Sequence, residues 1–547
     1  IYKLDTLPNV RTLIEDKRRE FVQKFPGGAG RTFSVLTGDF LSPYLLSAVD
    51  KGFGMMCTLN NISLDYLIWG NHEADLDPNA VNHRVREFKG TWINSNMIDH
   101  KEMKHQKEYA IETVQSANGQ HSRKLGMMAV LSNVKSLYKG KSFGGATLTD
   151  PWDAMEKYKK ILENDEKVDF ILPLCHLYLP QDKKTCEQFE FPLILGGHDH
   201  MVVDETINQT RVLKPGQDGD HAFVIDIVWP TQDAKEPEIT VDFVDTNQWK
   251  AHEETEKVVR KAYSALDHLE NTEICKIPKN YLPMCSNNRK EKLHKVATFL
   301  FDVLKEAVNL DDPGSVDLVL LSGGNARGEN EFKEDTMFTL KHLKEEMRED
   351  LEARIIGIPG KIIKQGFVET HEEYNAGFMQ RESDFELDNK GIPCAINGQE
   401  IDDDKVYNVL ISIWDLKKGP SKTFNKFYEE LVENDAIPER DINCATTILH
   451  HFACAAWQQI YDLLDTDNDG DLSYEEVKAI DTNNNGKIEK SELQEALKKV
   501  GFDVHEGETS FVETIFTIAH DPDNSEFLTS DDLVDAERPD ESFETCE

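Results

Sequence analysis

Four short apolar runs, each closing on a polar tip, dominate the first two hundred residues. Residues 33–37, 64–69, 168–175 and 191–195 are nearly continuous apolar segments. Runs of that length read as strands buried on both faces. They are followed by Gly38-Asp39, Gly70-Asn71-His72-Glu73, His176 and Gly197-His198-Asp199-His200. Strands of one sheet end side by side, so the pattern predicts that the four tips converge, although over 150 positions separate the first from the last. Further on, apolar positions over 222–229 and 238–244 predict a meander, with residues 214–218 turning back toward the tips before it. Residues 251–270 lack Gly and Pro and carry Val258, Val259, Tyr263, Leu266 and Leu269 at helical spacing. Leu293, Val296, Leu300, Val303 and Leu304 mark the buried face of another helix, and a buried strand is expected over 316–321.

The length, 547 residues, suits three or so domains, each with its own core. No apolar run reaches the roughly 18 residues that a membrane-crossing helix needs. The net charge of −40 is unevenly spread, because residues 461–547 hold 26 Asp or Glu against 6 Lys or Arg, a net −20. Such a surface excludes nucleic acid as a partner and favours divalent cations. The nine cysteines, at 57, 175, 186, 275, 285, 394, 444, 454 and 546, show no framework spacing. An odd, dispersed set fits a reducing compartment, so the cytoplasm is expected rather than secretion. Cys275 and Cys285 are near enough in sequence to bridge a short loop under oxidising conditions.

The converging tips change the picture from architecture to chemistry. Asp39 offers a carboxylate, Asn71 an amide oxygen, and His176, His198 and His200 three imidazoles. That donor set suits borderline divalent metals such as Zn, Mn, Fe or Co. An Asp able to bridge, with ligands on both sides, is what a two-metal centre needs to clamp a phosphate and activate water. The pattern points to a metal-dependent phosphoesterase. His83, His100, His105 and His121 have no comparable surroundings and read as structural.

In this order, the GD, GNHE, strand-end His and GHxH motifs resemble the metallophosphoesterase superfamily and, within it, the 5'-nucleotidase family, over roughly residues 1–435. The resemblance implies an α/β (α+β) protein. A metallophosphoesterase β-sandwich flanked by helices would occupy 1–245 and a linker helix 246–275. A second α/β domain of the 5'-nucleotidase C-terminal type, which contacts the substrate, would occupy 276–440. It further implies that Asp39 bridges two divalent metals, that Asn71, His176 and His198 hold one, and that His200 holds the other. His72 would face the phosphate and stabilise the transition state, with Asp75 orienting its ring. A carboxylate on one imidazole nitrogen fixes the tautomer and favours the cation. The family's opening Asp-x-His motif is missing. Ile1-Tyr2-Lys3-Leu4 resembles the remainder of an Asn-Asp-x-Tyr string found in one branch, so the ligand Asp would precede Ile1 and Tyr2 would stand where the His usually is.

In the second domain, Ser322-Gly323-Gly324-Asn325-Ala326-Arg327 resembles the family's Asn-x-Gly-Gly-x-Arg loop, with Ser322 in place of the first Asn. There Arg327 and backbone amides would contact the substrate, since glycines let the backbone approach an anion. Phe378 and Trp414 stand where the family places two rings that clamp a base, although the Gly-Gly-Asp expected after the second ring is lost. Stacking tolerates any base, whereas ribose recognition needs placed acceptors.

The acidic end carries its own pattern. Asp465, Asp467, Asp469, Asp471 and Glu476 fall at the ligand positions of a 12-residue EF-hand calcium loop, with Gly470 at its sharp turn. Asp481, Asn483, Asn485, Lys487 (through its carbonyl) and Glu492 fit a second, with fewer negative ligands. The two loops start 16 residues apart, too close for an ordinary pair, while a degenerate third loop at 521–532 begins 40 residues after the second. The second and third are therefore expected to pair, with the first appended, in an all-α calcium-binding region over 441–547. The whole reads as a calcium-responsive or calcium-stabilised hydrolase of small phosphomonoesters, 5'-nucleotides first among them. Two alternatives stand beside it: a hydrolase of nucleotide diesters or sugar nucleotides, and a calcium sensor whose phosphatase-like body is a binding platform.

Overall fold

A computed structural model of the chain describes residues 1–138, 142–269, 273–287, 292–333, 336–372, 377–434, 436–467, 472–499, 527–529 and 533. The chain divides into two compact units, Ile1–Ser47 with Lys51–Tyr263, and Ala48–Asp50 with Ser264–Glu547.

The first unit contains two principal sheets. One is four-stranded and parallel, in the order β1 (Val35–Leu36), β2 (Tyr66–Ile68), β3 (Thr91–Ile93) and β4 (Gln106–Lys107). The other is six-stranded. Its members are β5 (Tyr109–Gln115), β6 (Ser122–Leu131), β7 (Phe170–His176), β8 (Leu193–Gly196), β9 (Val202–Ile207) and β10 (Thr210–Pro215), in the order β9-β10-β8-β7-β6-β5. The central strands β6, β7, β8 and β10 run parallel, and the two edges are antiparallel. Period-two alternation sorts the side chains. Leu125, Met127, Ala129, Phe170, Leu172 and Leu174 face Tyr66, Ile68 and Ile93 of the first sheet in one core. Met128, Val130, Ile171 and Cys175 face the opposite way, onto the helices α1 (Pro151–Lys160) and α2 (Leu179–Gln188).

One expectation is corrected here. The four tips do not end strands of a single sheet, because β1 and β2 belong to the four-stranded sheet and β7 and β8 to the six-stranded one. They still meet, because the two sheets stack on a shared core and Thr37, just past β1, donates from its hydroxyl to the Gly196 carbonyl at 3.1 Å. Beyond them, β11 (His221–Val228) and β12 (Glu238–Asp245) form the expected hairpin, and α3 (Glu253–Leu269) the expected helix.

In the second unit, α4 (Lys295–Asp311) buries Val296, Leu300, Val303 and Leu304, the face its sequence marks. The sheet there is five-stranded and mixed, built from β13 (Leu318–Ser322), β14 (Glu352–Pro359), β15 (Met379–Arg381), β16 (Val406–Ile411) and β17 (Ile442–Asn443), in the order β15-β13-β16-β14-β17. Helices α5 (Gly360–Thr370) and α6 (Lys422–Glu433) contribute Ile363, Phe367 and Phe424 to its core. From β17 the chain passes directly into α7 (Cys444–Leu464), which is capped by the Asn443 side chain, packs on α4 and buries Ile448, Leu449 and Phe452. The helix α8 (Tyr474–Lys478) follows, and β18 (Ile488–Glu489) pairs with β19 (Phe527–Leu528).

Candidate metal centre

Sequence dictates the centre by where parallel strands end. His176 ends its strand, Asp39, Asn71 and His198 follow theirs within a few residues, and three non-glycine residues of the tips adopt a left-handed conformation: φ is 57° at Asp39, 81° at His198 and 56° at His200. Gly70 has no side chain because Asp39 lies over it; a Cβ there would collide with the Asp39 amide and carboxylate.

Ligand atoms of Asp39, His176 and His198 all lie within 4.8 Å of one another. His176 Nδ1 donates to the Thr37 carbonyl at 2.7 Å, which orients the ring and turns Nε2 toward the site. That Nε2 faces two oxygens, Asn71 Oδ1 at 3.1 Å and Asp39 Oδ2 at 2.9 Å. The three polar atoms converge on one point, an arrangement that a divalent cation would satisfy. The His198 ring adds two buried nitrogens without a hydrogen-bond partner among the described residues. Burial pushes the Asp39 carboxyl up, but the imidazoles of His176 and His72 outweigh it and hold it well below the usual carboxylate range. Burial, with His176 beside it, keeps His198 neutral, the form a ligand requires. These residues fit a divalent metal.

The other expected members are placed around this group. His72 Nδ1 meets Asp75 Oδ2 at 2.6 Å, forming the expected dyad, and the His72 amide donates to Asp39 Oδ1 at 2.9 Å. His200 lies outside the three-residue cluster, with its Nδ1 3.5 Å from the Tyr2 hydroxyl and the two rings edge to face. Tyr2 is positioned by Asp218, whose Oδ1 accepts from the Tyr2 amide at 2.7 Å.

Three contributors were not given a role by the motifs. Glu73, fully buried, accepts four backbone amides: Gly70 at 2.6 Å and Asp39 at 3.0 Å on Oε2, Phe40 at 2.7 Å and Leu41 at 3.0 Å on Oε1. Its carboxylate thus binds the first tip to the second. Burial and the nearby Asp39 push its carboxyl up while the Leu41 and Phe40 amides pull it down; four donors and no acceptor suit the ionised form. Its only signal in the sequence was membership of Gly70-Asn71-His72-Glu73. Tyr178 lays its ring edge-on to His198 at 3.8 Å between centroids. Lys214, in the segment 214–218 expected to turn toward the tips but given no role there, lies behind the His176 and His198 tips.

In the second unit, a cavity of about 630 Å³ opens beside the glycine loop, lined by Ser322, Gly324, Asn325, Ser412, Trp414 and Tyr428 among others. Trp414 is 48 % exposed there. Buried Asp415 fixes the floor by accepting from the Ser412 hydroxyl at 2.8 Å and the Ser322 amide at 3.2 Å. Arg327 and Phe378 are not among the lining residues: Arg327 is exposed, and Phe378 is buried with its ring 3.9 Å from that of His371.

In the acidic region, Asp465, Asp467 and Glu476 form a second cluster whose ligand atoms lie within 4.8 Å of one another. Asp469 and Asp471 lie outside the described residues. The second loop is closed on itself. Asp481 accepts from the Asn485 and Gly486 amides, Asn483 Oδ1 from the Asn485 amide, Asn485 Oδ1 from the Lys487 amide, and Glu492 from the Asn483 amide. Ile488 of this loop pairs with Leu528, so the structure brings the second and third segments together as expected. Leu472, the equivalent residue of the first loop, instead donates its amide to the Tyr461 hydroxyl at 2.9 Å.

With this geometry in place, the comparisons with known proteins give the class. Residues 8–202 match the family profile of the calcineurin-like phosphoesterases, and residues 478–498 that of the EF hand. The chain therefore carries a calcineurin-like phosphoesterase domain. An apyrase of Tabanus yao is 27% identical over 145 residues, which are 26% of this chain and 25% of that protein. The chain thus spans about a quarter of the length of that relative. Among solved structures, the NAD nucleotidase NadN of Haemophilus influenzae superposes with a TM-score of 0.61 at 14% identity, covering 82% of this chain and 89% of that one. A 5'-nucleotidase precursor from Thermus thermophilus gives 0.47 at 14% identity, covering 81% and 89%. The chain thus shares the fold of the NAD nucleotidase over most of its length.

Proposed function

We propose that this chain hydrolyses phosphomonoesters, with 5'-nucleotides first among the substrates, and that its acidic region binds calcium. One observation carries the first part: the convergence of ligand atoms of Asp39, His176 and His198, set beside the His72–Asp75 dyad. Asp39, Asn71, His176 and His198 would hold one divalent metal, and Asp39 with His200 a second. Metals held there neutralise phosphate charge and lower the pKa of water. The chain's own residues do the rest. Thr37 and Glu73 hold the ligands in place before substrate arrives, which spares reorganisation during the reaction. Asp75 keeps the proton on His72 Nδ1 and favours the imidazolium, so that Nε2 can donate toward a phosphoryl oxygen as charge builds on it.

The nucleotide preference draws on the cavity of the second unit, where the exposed Trp414 ring suits stacking with a base and the Asn325 and Ser322 side chains offer polar contacts. The apyrase and NAD nucleotidase relatives, nucleotide enzymes by name, support the same reading. The calcium assignment draws on the Asp465, Asp467 and Glu476 cluster and on the closed second loop. The test is turnover of p-nitrophenyl phosphate, AMP, a nucleotide diester and a sugar nucleotide by the full chain with Mn²⁺ or Zn²⁺. Release of phosphate from AMP and p-nitrophenyl phosphate is expected. Turnover of diesters or sugar nucleotides alone would replace the reading by that alternative, and none at all would leave a binding platform.

A further inference from the structure

Resting on the metal-site reading above, we infer that Lys214 is a positioning residue, whose buried ammonium staples the two histidine tips into their ligating geometry. It sits on β10, 1% exposed, and its stem crosses Gly196 of the neighbouring strand β8. A Cβ at Gly196 would come within 2.9 Å of Lys214 Cε, so the glycine makes room for this side chain. The ammonium has three partners. It donates to the carbonyl of Leu177, next to His176, at 2.6 Å, and to Asp199 Oδ2, between His198 and His200. It also pairs with Asp182 of α2 at 2.6 Å. The other oxygen of Asp199 accepts from the Leu179 amide at 3.3 Å. Segments 176–179 and 198–200 are thus joined directly by Asp199 and again through the Lys214 ammonium that bridges them.

The second segment needs such restraint. His198 and His200 both sit in the left-handed region, which non-glycine residues occupy only when their surroundings hold them. Asp199, between them, is held at both carboxylate oxygens, so the backbone on either side is fixed and each ring keeps its direction. Groups of this kind, one step behind the ligands, typically change metal affinity 10–100-fold when removed.

The test uses the metal-free full chain titrated with Mn²⁺ in saturating Ca²⁺, following free Mn²⁺ by electron paramagnetic resonance, with the melting temperature of each metal-free variant alongside. Asp199→Asn leaves Lys214 paired with Asp182 but loosens the tip. Lys214→Met removes the staple, and Asp182→Asn removes only the partner on α2. Asp199→Asn and Lys214→Met are each expected to weaken Mn²⁺ binding by roughly 10–100-fold. Asp182→Asn, whatever it does to melting, is expected to leave the affinity within about threefold, because both ties to the tips survive. A purely structural role would move melting in all three and affinity in none. His176→Ala identifies the failure: if it too binds Mn²⁺ like wild type, the metal site itself is misassigned. If it loses the metal while folded Asp199→Asn retains wild-type affinity, only the positioning role is overturned. Failure of both Asp199→Asn and Lys214→Met to fold would likewise overturn it, marking the group as plain core.

Discussion

Glu73→Gln is the sharpest probe of how the centre is built. The substitution keeps size and shape but turns one carboxylate oxygen into an NH₂ group. Each Glu73 oxygen accepts two backbone amides, so Gln can satisfy only one pair, and the other pair is left facing a donor. A hydrogen bond to a charged acceptor contributes roughly 1.5–3 kcal/mol, so losing two of them in a fully buried position costs about 3–6 kcal/mol. Set against the roughly 5–15 kcal/mol that holds a domain together, this is severe. At roughly 2–4 °C per kcal/mol for a unit of this size, the metal-free melting transition should drop by about 6–24 °C. Scanning calorimetry of the chelator-treated chain measures it. The opposite pull of burial on this carboxyl makes the result decisive. If Glu73 were protonated in the folded protein, Gln would mimic it closely, and a shift below about 2 °C would refute the four-amide carboxylate.

Three further outcomes are expected. His72→Asn should retain its metal by elemental analysis yet lose roughly 100-fold or more in turnover, about 3 kcal/mol of transition-state stabilisation. Asp182 is pushed up to about 7 by burial, against an ordinary value near 3.8, despite the Lys214 ammonium beside it. The folded state therefore binds the extra proton between those limits; its contribution to stability is full below about 4 and is lost as the pH rises through 7, so urea midpoints should fall from pH 5 to pH 8 and flatten in Asp182→Asn. In calorimetric calcium titrations of the full chain, Glu476→Gln should cost more affinity than Glu492→Gln, because the first loop has Asp465 and Asp467 among its early ligands where the second has Asp481 and Asn483.

Much of the centre was legible because parallel strands declare their own ends. Continuous apolar runs identify β2, β7 and β8, and a polar residue just past such a run has one place to go, the carboxyl edge of the sheet. The runs do not say which sheet each strand joins; that depends on packing between Tyr66, Ile68 and their partners from 125–174, far apart in the chain. Glu73 and Lys214 were opaque for a different reason. Their partners include backbone amides and carbonyls, which leave no trace in residue identity, and an isolated Lys reads as surface until the fold buries it. The cavity of the second unit was half legible. Trp414 could be placed on its wall by motif, but the packing of Phe378 against His371 follows from the second unit's own core.

The run from β17 into α7 has a consequence for how such a protein could be taken apart or assembled. The calcium-binding region expected from the sequence starts at residue 441, and an exchange of gene segments guided by that boundary would cut there. That cut would carry off a strand paired with β14 and a helix whose buried Ile448, Leu449 and Phe452 lie within the second unit. The excised fragment would expose an apolar helix face it cannot cover, and the body left behind would have an unpaired sheet edge at β14. A natural or engineered graft of the calcium loops onto another protein would have to join beyond Leu464, where α7 ends, and would inherit the loops without the helix that leads into them.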